Sequence, residues 1–338
     1  MTTTKIGSKT KKSNIAENIY YTLFSAVVFA IIIIILCNPK KYNASIHQGL
    51  NLFFVSVLPG LLPFMFFSKI LSGLPTIKTM SKRLSKPMQT LFGTSGISGY
   101  VFLLSILSGY PVGAKLVADM YEEGFATETD AKKMSVFCTT SGPIFVIGTV
   151  GSIMFGSAKI GIILYISHIL ASVMSGIVFR KNVHETQKIP DIKTSAPHDI
   201  ITKSMYDTTT NILLVCGYIT IFFLIADILC SMGVVGVMSA PLQLLFDKQS
   251  INLSAKGIIL GLIEVTRGVK TLSANINVWS VCFACALISF GGLSILLQSM
   301  AFLKKCKIKA RNFVFAKCVH AVFSFIICFV ILKITSCF

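Results

Sequence analysis

Leu107-Ser-Gly-Tyr-Pro-Val-Gly-Ala-Lys115 is a glycine- and proline-broken, charged stretch set between apolar segments. It is echoed in the second half of the chain by Leu262-Ile-Glu-Val-Thr-Arg-Gly-Val-Lys270. A continuous membrane helix tolerates neither the Gly/Pro cluster nor the charges without a reason, because freed backbone groups and ionised side chains are costly in hydrocarbon. Broken segments at matching positions of two halves are the sequence mark of a transporter's binding site. The stretch therefore predicts an all-α polytopic membrane protein with about seven to nine membrane segments and two inverted repeats containing broken or re-entrant helices.

Composition agrees. With 54% hydrophobic and 13% charged residues and a mean hydropathy of +0.77, the 338-residue chain cannot fold in water without a large apolar surface. The net charge of +18 would suggest nucleic acid in a soluble protein, but here Lys and Arg gather at the ends of apolar runs. That is the distribution of topology determinants and lipid-headgroup contacts, so nucleic acid is excluded as a partner and the bilayer is expected. Most of the ten cysteines lie inside apolar runs and read as small hydrophobes. Cys282 and Cys285 have CxxC spacing but no second pair and no nearby His, so no metal site is expected.

Residues 1–14 read as a basic cytoplasmic tail and Ile15 to Cys37 as a retained first transmembrane helix, since no small-residue cleavage site follows it. A first repeat over residues 50–180 contains apolar segments at Leu50–Leu74, Ile97–Val112, Met134–Phe155 and Ile160–Phe179. After a polar connector, 181–203, a second repeat over 204–334 contains Asn211–Val237, Gly257–Ile263, Asn275–Leu303 and Phe313–Leu332. Gly113-Ala-Lys115 aligns with Gly268-Val-Lys270, and Ser141-Gly142-Pro143 with Phe290-Gly291-Gly292. Orientation follows from the basic clusters Lys78, Lys82, Arg83, Lys86 and Lys304, Lys305, Lys307, Lys309, Arg311, which should be cytoplasmic. If Ile97–Val112 and Gly257–Ile263 fully cross, the connector lies outside and the halves are parallel. If they are re-entrant, it lies inside with its own basic residues and the halves are inverted, the arrangement the basic-residue count favours.

The candidate binding residues follow from these breaks. Pro59 and Pro63 should break the second apolar helix, and Pro143 the fourth, by removing amide donors. Gly109, Tyr110, Pro111 and Gly113 form a break after which a helix would aim free amides at an anion, with Lys115 one turn in. Lys115 could instead snorkel, or pair with Asp119 one turn on. In the second half Glu264, Arg267 and Lys270 fall on one helical face, with Glu264 paired to Arg267 and Lys270 without a local partner. Lys115, Arg267 and Lys270 against Glu264 would leave two positive charges at the site, which would suit an anion. Ser141, Gly142, Gly291 and Gly292 interrupt two further helices, either for close packing or to offer uncharged hydrogen bonds. The five histidines, His47, His168, His184, His198 and His320, are scattered with no ligand or catalytic spacing, so an enzyme and a cofactor are not expected.

The run Val57-Leu-Pro-Gly-Leu-Leu-Pro-Phe-Met-Phe-Phe-Ser-Lys-Ile-Leu-Ser-Gly73, with Leu107–Lys115 and Thr140-Ser-Gly-Pro-Ile-Phe145, resembles the sporulation integral membrane proteins of the YlbJ type. The resemblance runs from about Leu50 onward and is looser in the second half. It implies a nucleoside-recognition Gate domain of the kind found in concentrative nucleoside transporters. It also implies movement of dipicolinic acid, a pyridine dicarboxylate, from mother cell to forespore across the outer forespore membrane. The expected function is thus transport of a small organic anion. The alternatives are a nucleoside or other small-solute transporter and a non-transporting scaffold in sporulation. A homo-oligomer or an assembly with other sporulation membrane proteins is the protein partner expected; the coupling ion is left open.

Overall fold

The computed structural model describes residues 6–180 and 196–335, all helix and connecting turns. The helix α1 (Ile6–Cys37) runs straight from the basic tail into an apolar span, Asn18–Cys37, whose side chains are almost all exposed to the surroundings. From Ile6 on, tail and span are thus one helix. Next come α2 (Pro39–Leu52) and α3 (Leu58–Ser72), joined by a π-helical segment, Phe53–Val57. Here the expectation of a helix broken at Pro59 and Pro63 is corrected: the span Pro39–Ser72 is continuous over 34 residues. The π-segment widens the ladder just before the prolines, with Leu58 N donating to Phe53 O, and Pro59 enters at the first turn of α3.

The helix α4 (Thr76–Phe92) buries Ile77, Ser81, Met88 and Phe92 and exposes Lys82, Arg83 and Lys86. Such a helix suits the membrane surface, and it meets α5 (Ile97–Ser108) at 84°. The helix α6 (Val112–Glu122) then turns back along α5. Tyr100 in the first turn of α5 donates to Ser68 O, and Asp119 near the end of α6 pairs with Lys69, so both arms return to the same end of α3. The pair is a re-entrant hairpin. It leads into α7 (Glu128–Phe137), a non-helical break at 138–142, a second π-segment (Ile144–Met154) and α8 (Ala158–Val178). Thr127 and Ser157 cap α7 and α8 through their hydroxyls.

The second half repeats the order. The helix α9 (Pro197–Ser231) takes in the last residues assigned above to the connector; 181–195 lie outside the described residues. The helix α10 (Val234–Lys248) leads to a second hairpin, α11 (Ala255–Ile263) and α12 (Val265–Leu272), in which Gly257 faces Leu272 and Gly261 faces Gly268. Then α13 (Val278–Phe290) breaks at Gly291 into α14 (Gly292–Leu303), and α15 (Ala310–Ile334) ends the fold. Corresponding helices of the halves run antiparallel. Along α2–α3 and α9, Ser45 meets Asp227 and Lys69 meets Asp207, while α8 and α15 pair Phe179 with Phe315 and His168 with His320. With neither hairpin crossing, the tail, α4 and the basic loop 304–309 all fall on one side, as the positive-inside rule requires.

Candidate functional site between two hairpin tips

Each hairpin tip rests on the broken helix of its own half. Gly109 holds φ at +85°, and a Cβ there would lie 2.8 Å from Gly142 Cα in the 138–142 break. Gly291 and Gly292 hold φ at +91° and +67°, and a Cβ on Gly292 would lie 2.8 Å from Gly261 O beside the second tip. Only glycine allows both the left-handed backbone and this approach. Gly113, just past the first tip, packs with no room for a side chain against Ser105 and Cys138 O.

Between the tips lies a cavity with about 80 Å³ open to the centres of water-sized molecules. Tyr110, Ser108, Ser141 and Gly142 line it from the first half, and Glu264, Thr266, Ser294 and Gln298 from the second. Ser56, Gly60, Val215 and Ile219 of the long helices α2–α3 and α9 close its side. Pro143 opens the π-segment next to Gly142 and Ile144 of the cavity wall; Pro111, Gly113, Gly291 and Gly292 do not line the cavity.

The charged residues are placed otherwise than the sequence suggests. Lys115 is bonded to Asp119, which also pairs with Lys69 at 3.0 Å; Lys69 reaches Glu123 at 3.4 Å and Asp207 at 3.8 Å. Arg267 pairs with Asp227 at 2.5 Å, stands 5.1 Å over the Phe223 ring, and leaves Glu264 alone. Glu264 instead caps α12, its two oxygens accepting the amides of Thr266 and Arg267 at 3.2 and 2.9 Å. Lys270 is exposed. The predicted cluster of three cations around the site is therefore corrected: the charge on the cavity wall is that of Glu264, and Lys115 and Arg267 are neutralised locally.

These ion pairs form two latches. Asp207 and Asp227 are 20 residues apart on α9 (227 − 207 = 20), about 30 Å along the axis at 1.5 Å per residue, with Val215 and Ile219 of the cavity wall midway. One latch holds α6 to α3 and α9; the other holds α12 to α9, with Ser45 of α2 donating to Asp227.

Behind Tyr110 lies a group of residues that sequence reasoning passed over. Lys317, His168 and His320 are fully buried. Lys317 Nζ donates to Tyr110 Oη at 2.5 Å and to Thr139 O at 2.7 Å, and His168 accepts from Ser141 N at 2.8 Å while its other nitrogen meets Ser289 Oγ at 2.7 Å. The signal was present: Lys317 and His320 sit at i,i+3 inside an apolar run, where ionisable residues are functional candidates by default. Counting histidines by sequence spacing hid it, because His168 and His320 are 152 residues apart.

Helices broken at mid-depth, two opposed hairpins and inverted halves define an integral membrane protein with a central cavity. The chain is 25% identical over 321 residues to the sporulation integral membrane protein YlbJ of Bacillus subtilis (strain 168), covering 86% of this chain and 77% of YlbJ. That similarity agrees with the resemblance to the YlbJ-type sporulation proteins carried by the motifs at 57–73, 107–115 and 140–145. No family model and no solved structure matches the chain.

Proposed function

We propose that the chain is a transporter that carries a small organic anion by exposing the central cavity to the two sides of the membrane in turn. The observation that supports this reading most is the position of the cavity, midway between two ion-pair latches and walled by one hairpin from each half. Opening one latch at a time would free one hairpin at a time, which is what alternating access needs. The likeness to YlbJ, whose name places it in sporulation, agrees with the sequence resemblance that implies dipicolinate, which we take as the substrate, with the bacterial cell membrane or outer forespore membrane as the site of action. Lys317, buried behind Tyr110 among neutral partners, gives the anion its counter-charge when it carries a proton.

A second reading, a nucleoside or other uncharged solute, draws on the cavity wall itself, which carries Glu264, Gln298 and several serines but no Lys or Arg. Uptake of labelled dipicolinate and labelled uridine into liposomes containing the purified protein separates the two. Saturable dipicolinate uptake, competed by other planar dicarboxylates and not by uridine, is expected. Saturable uridine uptake without dipicolinate competition would replace the first reading by the second. Spores of a deletion strain should contain less dipicolinate; unchanged content would remove sporulation from the proposal.

A further inference from the structure

The cluster behind Tyr110 has a feature that anion binding alone does not require: its hydrogen bonds leave one basic nitrogen facing an amine. Ser141 N–H can only donate, so His168 Nε2 is an acceptor and Nδ1 carries the hydrogen toward Ser289 Oγ. His320 Nε2 lies 3.0 Å from His168 O, which can only accept, so that nitrogen carries the hydrogen and Nδ1 is a free base. It faces Lys317 Nζ at 3.3 Å. The three N–H bonds of a Lys317 ammonium thus meet Tyr110 Oη, Thr139 O and His320 Nδ1, all of them uncharged.

No carboxylate among the described residues pairs with Lys317. From α8 the cluster is faced by His168, stacked on His320 at 4.8 Å, and from the first hairpin by Tyr110. The titratable groups of α13, Cys282 and Cys285, lie farther along near Cys328, Cys138 ends α7, and Lys133 of α7 reaches away to Gly93 O. The cluster can therefore hold one positive charge but not two, because like charges 3.3 Å apart in a water-poor interior repel strongly.

We propose that Lys317 and His320 are the proton-coupling site of the protein, which binds one proton together with the anion and releases it with the anion. The proton adds to the Nζ lone pair. It is shared with His320 Nδ1, as ammonium and imidazole interchange with amine and imidazolium, and leaves from Nζ through the Tyr110 hydroxyl to water when the cavity opens. Tyr110 joins the two events, since it touches Lys317 on one side and lines the cavity on the other. An anion in the cavity stabilises the proton and the proton stabilises the anion, a coupling that must be equal in both directions.

The proposal rests on the transporter reading, so its test has two arms. In liposomes with a lumen one pH unit more alkaline than the medium, labelled dipicolinate should accumulate up to about tenfold above the no-gradient level, the limit for one proton per solute. A lumenal pH dye should acidify in step. Uptake remaining in Lys317→Met, and in Lys317→Arg, whose charge is fixed, should ignore the gradient. Wild-type uptake indifferent to the gradient, or a full gradient response in both variants, would overturn the proposal while leaving transport standing. The second arm needs no transport: carbon-13 labelling at lysine Cε in nanodiscs should show a resonance that titrates over the pH range of the assay and is missing in Lys317→Arg. If no such resonance exists, Lys317 is not a proton site even if dipicolinate is carried. If it exists without any uptake, the proton site stands and the transporter reading falls.

Discussion

Gly268→Ala should destabilise the protein, and the reason lies in backbone atoms alone. A Cβ at Gly268 would stand 2.7 Å from Gly257 O and nearer still to the backbone of Gly261, whereas ordinary contact begins at 3.4 Å. The arms of the second hairpin must therefore part by at least 0.7 Å (3.4 − 2.7 = 0.7). No rotamer relieves this clash, because the obstructing atoms are main chain. Overpacking of this kind costs about 1–3 kcal/mol, against which the better helix propensity of alanine returns up to about 1 kcal/mol. A net loss of about 1–2 kcal/mol is expected, several- to thirtyfold in the folded-to-unfolded ratio. Gly217→Ala is the control, since Gly217 is exposed within α9 and a Cβ there meets nothing within 4 Å. It should leave stability unchanged or raise it by up to about 1 kcal/mol. Equilibrium unfolding of the purified protein in mixed detergent, followed through Trp279, measures both. A Gly268→Ala protein as stable as wild type would refute the hairpin, because a separately crossing α12 has no such contact to lose.

Asp227→Asn and Arg267→Gln should each cost about 1–3 kcal/mol, between the values for exposed and fully buried pairs, since both side chains are about one-fifth exposed; a double-mutant cycle with no coupling energy would dissolve the outer latch. Lys270→Met should leave both folding and uptake unchanged, whereas Lys115→Met, which leaves Asp119 with Lys69 alone, should lower stability; the reverse ranking would restore Lys270 to the site. Glu264→Ala should remove the cap of α12 at about 1–2 kcal/mol and change the apparent affinity for solute, while Glu264→Gln, which keeps one acceptor, should cost less. Cysteines introduced at Lys307 and Asn275 should label from opposite faces of intact cells, Lys307 from the cytoplasm only; labelling of both from one side would remove the inverted arrangement.

What could be read from the sequence was the pattern carried by main-chain requirements. Gly109, Gly142, Gly291 and Gly292 are needed where a backbone turns left-handed or touches another backbone, and such needs leave glycine in an otherwise apolar run. The hairpin and the broken helices were legible for that reason. Partners of charged side chains were not, because they are set by helices far apart in the chain. Arg267 has Glu264 three residues away, yet its guanidinium goes to Asp227 on α9, since Glu264 is already used by two amides at the start of α12. Lys115 did pair locally with Asp119, but the carboxylate is shared with Lys69, fifty residues earlier. Pro59 misled for a different reason: a π-turn upstream absorbs the proline, and no residue in Phe53–Val57 announces it.

The antiparallel contact of α2–α3 with α9 explains why one cavity can serve two latches. Both long helices pass the cavity at their middle, and the close approach of Gly49 to Thr220 locks them together on one side of it. They therefore form a fixed wall against which the two hairpins are held at opposite ends, α6 through Lys69 and Asp207, and α12 through Asp227. The hairpin tips touch the broken helices through glycine backbone, while Val112 and Val265 beside them are buried in the core, so movement of a tip must repack those side chains. Lys317, by contrast, binds one tip to the first-half break through Tyr110 and Thr139 from a third element, α15. In the proton-coupling proposal, loss of its charge would weaken this hold on the first tip, which Tyr110 also ties to Ser289 O of the second-half break, whereas among the described residues no hydrogen bond joins the second tip to Lys317.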